Sequence, residues 1–153
     1  MKKSLFALLI TTSFSALAGP TGSLLVKGVV PQILDVLVSG ESIASNLPLN
    51  TTQTNTKIAT IQEKSNSASG YKITISSANS GKLVRNGGSQ IFNYTMSYNG
   101  QPLTLTSPVV LNNPGAAAVT TSKNLNISYS GVPHDQLVAG DYLDTITFAI
   151  AAI

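Results

Sequence analysis

"IFNYTMSYNGQPL", residues 91–103, alternates large apolar side chains with small polar ones and then turns. Phe92, Tyr94, Met96 and Tyr98 fall at every second position, so an extended chain places all four on one face. Asn99-Gly100 tolerates the positive φ angles of a tight hairpin turn, and "QPLTL" follows as the returning strand. This stretch reads as antiparallel β-structure, and its pattern recurs in both directions along the chain.

Upstream, "GYKITISS" (70–77) sets Tyr71, Ile73 and Ile75 on one face. Downstream, "NLNISYS" (124–130) does the same with Leu125, Ile127 and Tyr129. The terminal "DYLDTITFAIAAI" (141–153) alternates Tyr142, Ile146, Phe148, Ile150 and Ala152, with Asp144 the polar interruption. Residues 32–38 read as a further strand after a break or edge position at Pro31, and shorter apolar runs occupy 43–49 and 57–62. Ser-, Asn- and Gly-rich stretches at 65–70, 79–81, 86–89 and 112–115 read as the turns between them. About eight short strands so punctuated predict an all-β, antiparallel β-sandwich. An outer-membrane barrel needs strands of roughly 9–11 residues with aromatic girdles. Most of these runs are shorter, and the chain holds few aromatic residues.

The first 18 residues set the compartment. Lys2 and Lys3 precede an apolar run from Leu5 to Phe14, and Ala16-Leu17-Ala18 supplies the small-x-small pattern of a signal-peptidase site. The apolar run is too short to span a bilayer as a helix, and no Cys follows for lipidation. The leader is of bacterial type, so residues 1–18 are expected to be removed and the chain exported to the periplasm or beyond.

Removing the leader alters the charge argument. Of nine basic residues Lys2 and Lys3 depart, leaving seven basic against six acidic. The pI near 9.3 is therefore partly a property of the leader, and a nucleic-acid partner is not expected. Charged residues make up 10% of the chain, well below the usual share of about 25%. Ser, Thr and Asn take their place, giving a polar but weakly charged surface. There are no cysteines, although an exported domain of this size could use a disulfide. Stability must come from packing alone or from a partner.

Little in the sequence suggests chemistry. His134 is the single histidine and sits in the loop sequence "GVPHDQ". A metal site would want two or three His or Cys ligands, so no metal and no cofactor are expected. Asp141 and Asp144, three apart, would point to opposite faces of a strand and make a poor acid/base pair. "NGGS" at 86–89 lacks the lysine and helix of a phosphate loop. An enzyme is not expected.

The two ends carry more information. "GSLLVKGVVPQILDVLV" (22–38) opens the mature chain with Leu24, Val26, Gly28 and Val30 at alternate positions, a natural donor for β-strand addition. "LLVKGVVPQILDVLVSG" (24–40) resembles the N-terminal region of the alpha-type, or class 5, major subunits of chaperone–usher fimbriae. Val30, Ile33 or Leu34, Asp35, Val36 and Leu37 match that family's pattern, with the proline displaced by one to Pro31. "AGDYLDTITFAIAAI" is similar to a pilin C-terminus, with Gly140 fourteenth from the end, and "FNYTMSYNGQPL" is similar to the family's central hairpin. The penultimate aromatic residue common in chaperone–usher pilins is Ala152 here.

The resemblance implies an immunoglobulin-like sandwich, incomplete and completed by donor-strand complementation. It divides the chain into a signal peptide (1–18), a donor segment (19–31) and a pilin domain (32–153). Leu24, Val26, Gly28 and Val30 would be the donor residues between subunits. Gly140, Tyr142, Ile146, Phe148 and Ile150 would line the acceptor groove and meet the chaperone. The implied partners are neighbouring subunits in a head-to-tail polymer, a periplasmic chaperone, an outer-membrane usher and a host receptor, within a cell-surface fimbrium supporting adhesion. The rival expectation is a self-contained secreted β-sandwich, such as a coat or carbohydrate-binding module, for which Tyr94 and Tyr98 could supply exposed aromatic rings.

Overall fold

The computed structural model describes residues 19–116 and 118–153. The leader expected over residues 1–18 lies outside the described residues. Pro31–Ile153 is one compact unit, and the chain before it, through Val30, is a separate one. Residues 19–33 contain neither helix nor strand.

Among the described residues eleven strands follow, and every pairing between them is antiparallel. They are β1 (Leu34–Gly40), β2 (Gln53–Ser65), β3 (Gly70–Ser77), β4 (Lys82–Arg85), β5 (Ile91–Asn93) and β6 (Thr95–Tyr98). Then come β7 (Gln101–Leu103), β8 (Val109–Pro114), β9 (Val119–Tyr129), β10 (Tyr142–Leu143) and β11 (Ile146–Ala152). One sheet has the order β1-β2-β9-β6-β7; β11-β3-β8 forms a second, and β10-β4-β5 a small third. The fold is an all-β antiparallel sandwich, as the alternation predicts.

The alternating residues build the core between the sheets. Tyr71, Ile73 and Ile75 from β3 meet Ile61, Leu125, Ile127, Met96 and Tyr98 from the larger sheet, all buried. Asn99 and Gly100 both take positive φ, 49° and 79°, which is the turn that joins β6 to β7.

Three details depart from the sequence reading. The run 91–98 is two strands, because the chain changes sheets at Tyr94: β5 pairs with β4, and β6 pairs with β9. The four alternating side chains stay buried across that break. Asn112–Pro114 is strand, not turn, since Val109, Leu111 and Asn113 face inward and carry β8 alongside β3 to Gly70. The apolar run 43–49 forms a short 3-10 turn (Ser42–Ser45) and a loop, with Ile43, Leu47 and Leu49 packed on the core from outside any strand.

Candidate functional site

The expected donor residues belong to the segment before Pro31. Leu24, Val26 and Val30 are 87%, 85% and 83% exposed, and Gly28 is exposed as well. Leu25 and Val29 in the same segment are exposed as well, at 86% and 78%.

Within the compact unit, Asn66 holds the start of β1. Its backbone N–H donates to the Ile33 carbonyl at 3.1 Å and its side-chain amide to the Pro31 carbonyl at 2.8 Å. Its Oδ1 accepts from the Ile33 N–H at 2.6 Å. One residue, through its backbone and its side chain, thus stands in for the ladder that residues 31–33 lack.

Two sheet edges come next to each other. Among the described residues β1 pairs only with β2 and β11 only with β3, so each is the last strand of its sheet. β1 begins, and β11 ends, at the loop between β2 and β3, so the two run in opposite directions. Their Cα atoms come within 8 Å, yet no backbone ladder joins them. Paired strands would stand about 4.8 Å apart. Ile146, Phe148 and Ile150 turn inward from β11, and Leu34 and Val36 from β1, all half-buried against the core. Val38 lies on the same face of β1 but is 49% exposed. Three of the expected acceptor residues therefore share one strand beside an unpaired edge.

Gly140 and Tyr142 stand elsewhere. Asp144 ends the run: its carboxylate accepts from the Tyr94 hydroxyl, the Ser77 hydroxyl at 2.6 Å, and the backbone N–H groups of Asn79 and Thr145 at 3.0 and 2.7 Å. These bonds pin residues 144–145 and divide the C-terminal run into β10 and β11. Tyr142, on β10, pairs with Arg85 and donates its hydroxyl to the Val138 carbonyl at 3.0 Å. Gly140 has a φ of 142°, and Arg85 closes over it, its Nε donating to the Ala139 carbonyl at 2.8 Å. Both residues line a cleft of about 510 Å³ with Leu47, Leu49, Leu137 and Val138.

The sequence reading passed over a second group altogether. Glu63, on β2, has no exposure to solvent. It accepts from the Tyr71 hydroxyl at 2.6 Å and from the Tyr98 hydroxyl, and it pairs with Lys123 at 2.7 Å. Burial, then the bond to Glu63, pushes the Tyr71 phenol up to about 12, and the same causes raise Tyr98. Burial and the bond to Asp144 raise Tyr94. The signal was present in the alternation: Ile61, Glu63 and Ser65 occupy successive inward positions on β2.

His134 is exposed in a short 3-10 turn (His134–Gln136). Among the described residues no cluster of His, Cys, Asp or Glu could hold a metal ion, and no helix is long and apolar enough to cross a membrane. Tyr94 and Tyr98 are buried, so they offer no exposed aromatic platform for a sugar.

No protein-family profile matches the chain, and no curated protein matches it.

Proposed function

We propose that this chain is a structural subunit of a bacterial surface fimbria, assembled by the chaperone–usher route through donor-strand exchange. Its domain is an incomplete immunoglobulin-like sandwich, exported through the periplasm. The observation that carries the reading is the pair of adjacent, unpaired edges of β1 and β11, between which Phe148, Ile150 and Val36 remain half-open. A strand between the two edges needs them about 9.6 Å apart, twice the strand spacing, so a strand laid there would push β1 away from β11, bond to their edges and cover those side chains. The mature chain also supplies a strand of the right chemistry, the alternating Leu24, Val26, Gly28 and Val30.

Burying a leucine or valine is worth roughly 1.5–3 kcal/mol against leaving it exposed. Three such side chains give the exchange a large driving force, to which the edge hydrogen bonds add. Gly28 would admit a close approach of backbones. Each subunit then accepts a strand from one neighbour and donates to the other, a heterologous contact that produces open filaments. A periplasmic chaperone would occupy the groove beforehand, and an outer-membrane usher would exchange it.

The test is a mature chain carrying a second copy of residues 19–31 at its C-terminus, joined by a flexible linker. It should be monomeric and melt markedly higher than the unextended chain, which should aggregate or polymerise. No gain in stability would defeat the reading.

A further inference from the structure

Lys123, Asn113 and Glu63 meet across the sandwich in an arrangement that an ordinary ion pair does not require. Lys123 is on β9 and Glu63 on β2, both in the larger sheet, whereas Asn113 is on β8 in the opposite one. Lys123 Nζ lies 2.7 Å from a Glu63 oxygen and 3.4 Å from Asn113 Oδ1. The lysine side chain is 17% exposed and the glutamate side chain fully enclosed. Asn113 Nδ2 is buried and has no hydrogen-bond partner among the described residues. The Tyr98 ring also faces the amine, 5.6 Å from its centroid to Nζ.

Those three groups are an amine, a carboxamide and a proton carrier, with the amine in contact with both of the others and the carboxylate enclosed. We propose that Lys123 and Asn113 form an intramolecular isopeptide bond, with Glu63 moving the protons. Lys123 Nζ meets Asn113 at its Oδ1, 3.4 Å away, and groups fixed side by side in this way gain an effective concentration far above anything in solution. The Tyr71 and Tyr98 hydroxyls fix the carboxylate where it touches the amine.

The chemistry balances without an added reagent. The Lys123 ammonium passes a proton to the Glu63 carboxylate and becomes a free amine. Its lone pair attacks Asn113 Cγ while the carbonyl π pair moves to Oδ1, which the new carboxylic acid stabilises by hydrogen bonding. The tetrahedral centre then collapses: the carbonyl re-forms, the Cγ–Nδ2 bond breaks, and Nδ2 collects the proton that Nζ releases through Glu63. One Nζ–Cγ bond replaces one Cγ–Nδ2 bond, ammonia departs as ammonium, and Glu63 ends ionised as it began. Two tyrosine hydroxyls remain to solvate it.

The product would be a covalent tie between β8 and β9, and so between the two sheets, in a chain with no cysteine for a disulfide. The test is the intact mass of the folded, exported chain after prolonged incubation, measured under denaturing conditions. The expected mass is that of the mature sequence less one ammonia, with a branched peptide joining Lys123 to Asn113 and no tryptic cleavage at Lys123. Lys123→Arg and Glu63→Gln should each restore the full mass. Asn113→Asp should lose water instead and converge on the wild-type product. A wild-type chain at full mass, or ammonia lost from any other residue, overturns the proposal even if a variant fails to fold.

Discussion

The ring of Phe148, on edge strand β11, stands 5.7 Å from the ring of Tyr98 on β6, tilted by 45°. Through this contact the open edge rests on the residue whose hydroxyl binds the buried Glu63. Groove and polar centre are consequently one packed unit.

Phe148→Ala should therefore be felt on both sides. A fully enclosed Phe→Ala change costs about 3–5 kcal/mol. Phe148 is half-buried without an inserted strand, so the unextended chain should lose less, about 1–3 kcal/mol, than the chain carrying its own appended donor strand. Denaturant melts of the two, each with and without the substitution, measure the difference. Equal losses would show that no strand covers Phe148.

Two glycines should respond oppositely. Gly70 has a φ of 94°, and a Cβ there would lie 2.3 Å from the Asn113 carbonyl oxygen. Gly70→Ala should destabilise the domain by roughly 2 kcal/mol or more, because strain and backbone collision add. At Gly28 a Cβ would meet nothing within 4 Å. Gly28→Leu should leave the domain's melting unchanged and slow polymerisation, which light scattering would follow. A Gly28→Leu chain that assembles at the wild-type rate would remove glycine from the donor role.

The elements legible in the sequence are those where one face is dry and the other wet. Tyr71, Ile73 and Ile75 alternate because β3 has a core face, and the pattern needs no knowledge of its partners. What stayed hidden depends on residues far apart in the chain. The break at Tyr94 follows from a change of pairing partner, which alternation cannot register. Asn113 sat in a Ser/Asn/Gly-like stretch that resembled a turn, although its inward position belongs to the period of Val109 and Leu111. Glu63 and Lys123 are each flanked by polar residues and lie sixty positions apart, and only the pairing of β2 with β9 brings them together. Of the expected acceptor residues, Ile146, Phe148 and Ile150 share an edge by simple alternation. Asp144 separates Tyr142 from them through bonds to Ser77, Asn79 and Tyr94 that sequence spacing gives no hint of.

The tyrosines predict an alkaline instability. Tyr71, Tyr94 and Tyr98 all hold their protons more tightly folded than unfolded. The folded chain therefore binds more protons than the unfolded chain once pH exceeds the unfolded value of about 10. Stability from these groups is fully present below pH 10 and falls as pH rises, through about 12 for Tyr71. Each tyrosine can contribute up to about 1.4 kcal/mol of loss per pH unit in that window. Urea melts of the strand-appended chain between pH 9 and 11.5 should decline, and Tyr71→Phe should flatten the decline while lowering stability at neutral pH. An unchanged slope in Tyr71→Phe would contradict the assignment.

Val26→Asp separates donating a strand from folding around one. Val26 lies outside the compact unit and is 85% exposed. In a neighbour's groove it would gain roughly 1.5–3 kcal/mol by burial, and an unpaired carboxylate in its place would also meet a desolvation cost. The mutant should fold on its chaperone and accept a wild-type strand, yet fail to donate its own. Surface fibres should shorten or vanish while chaperone–subunit complexes persist in the periplasm. Val36→Asp is the control, because Val36 faces the core from β1 and its loss should remove complexes and fibres together. Measured side by side, loss of both species in Val26→Asp would place that residue in its own domain's core and end the donor assignment.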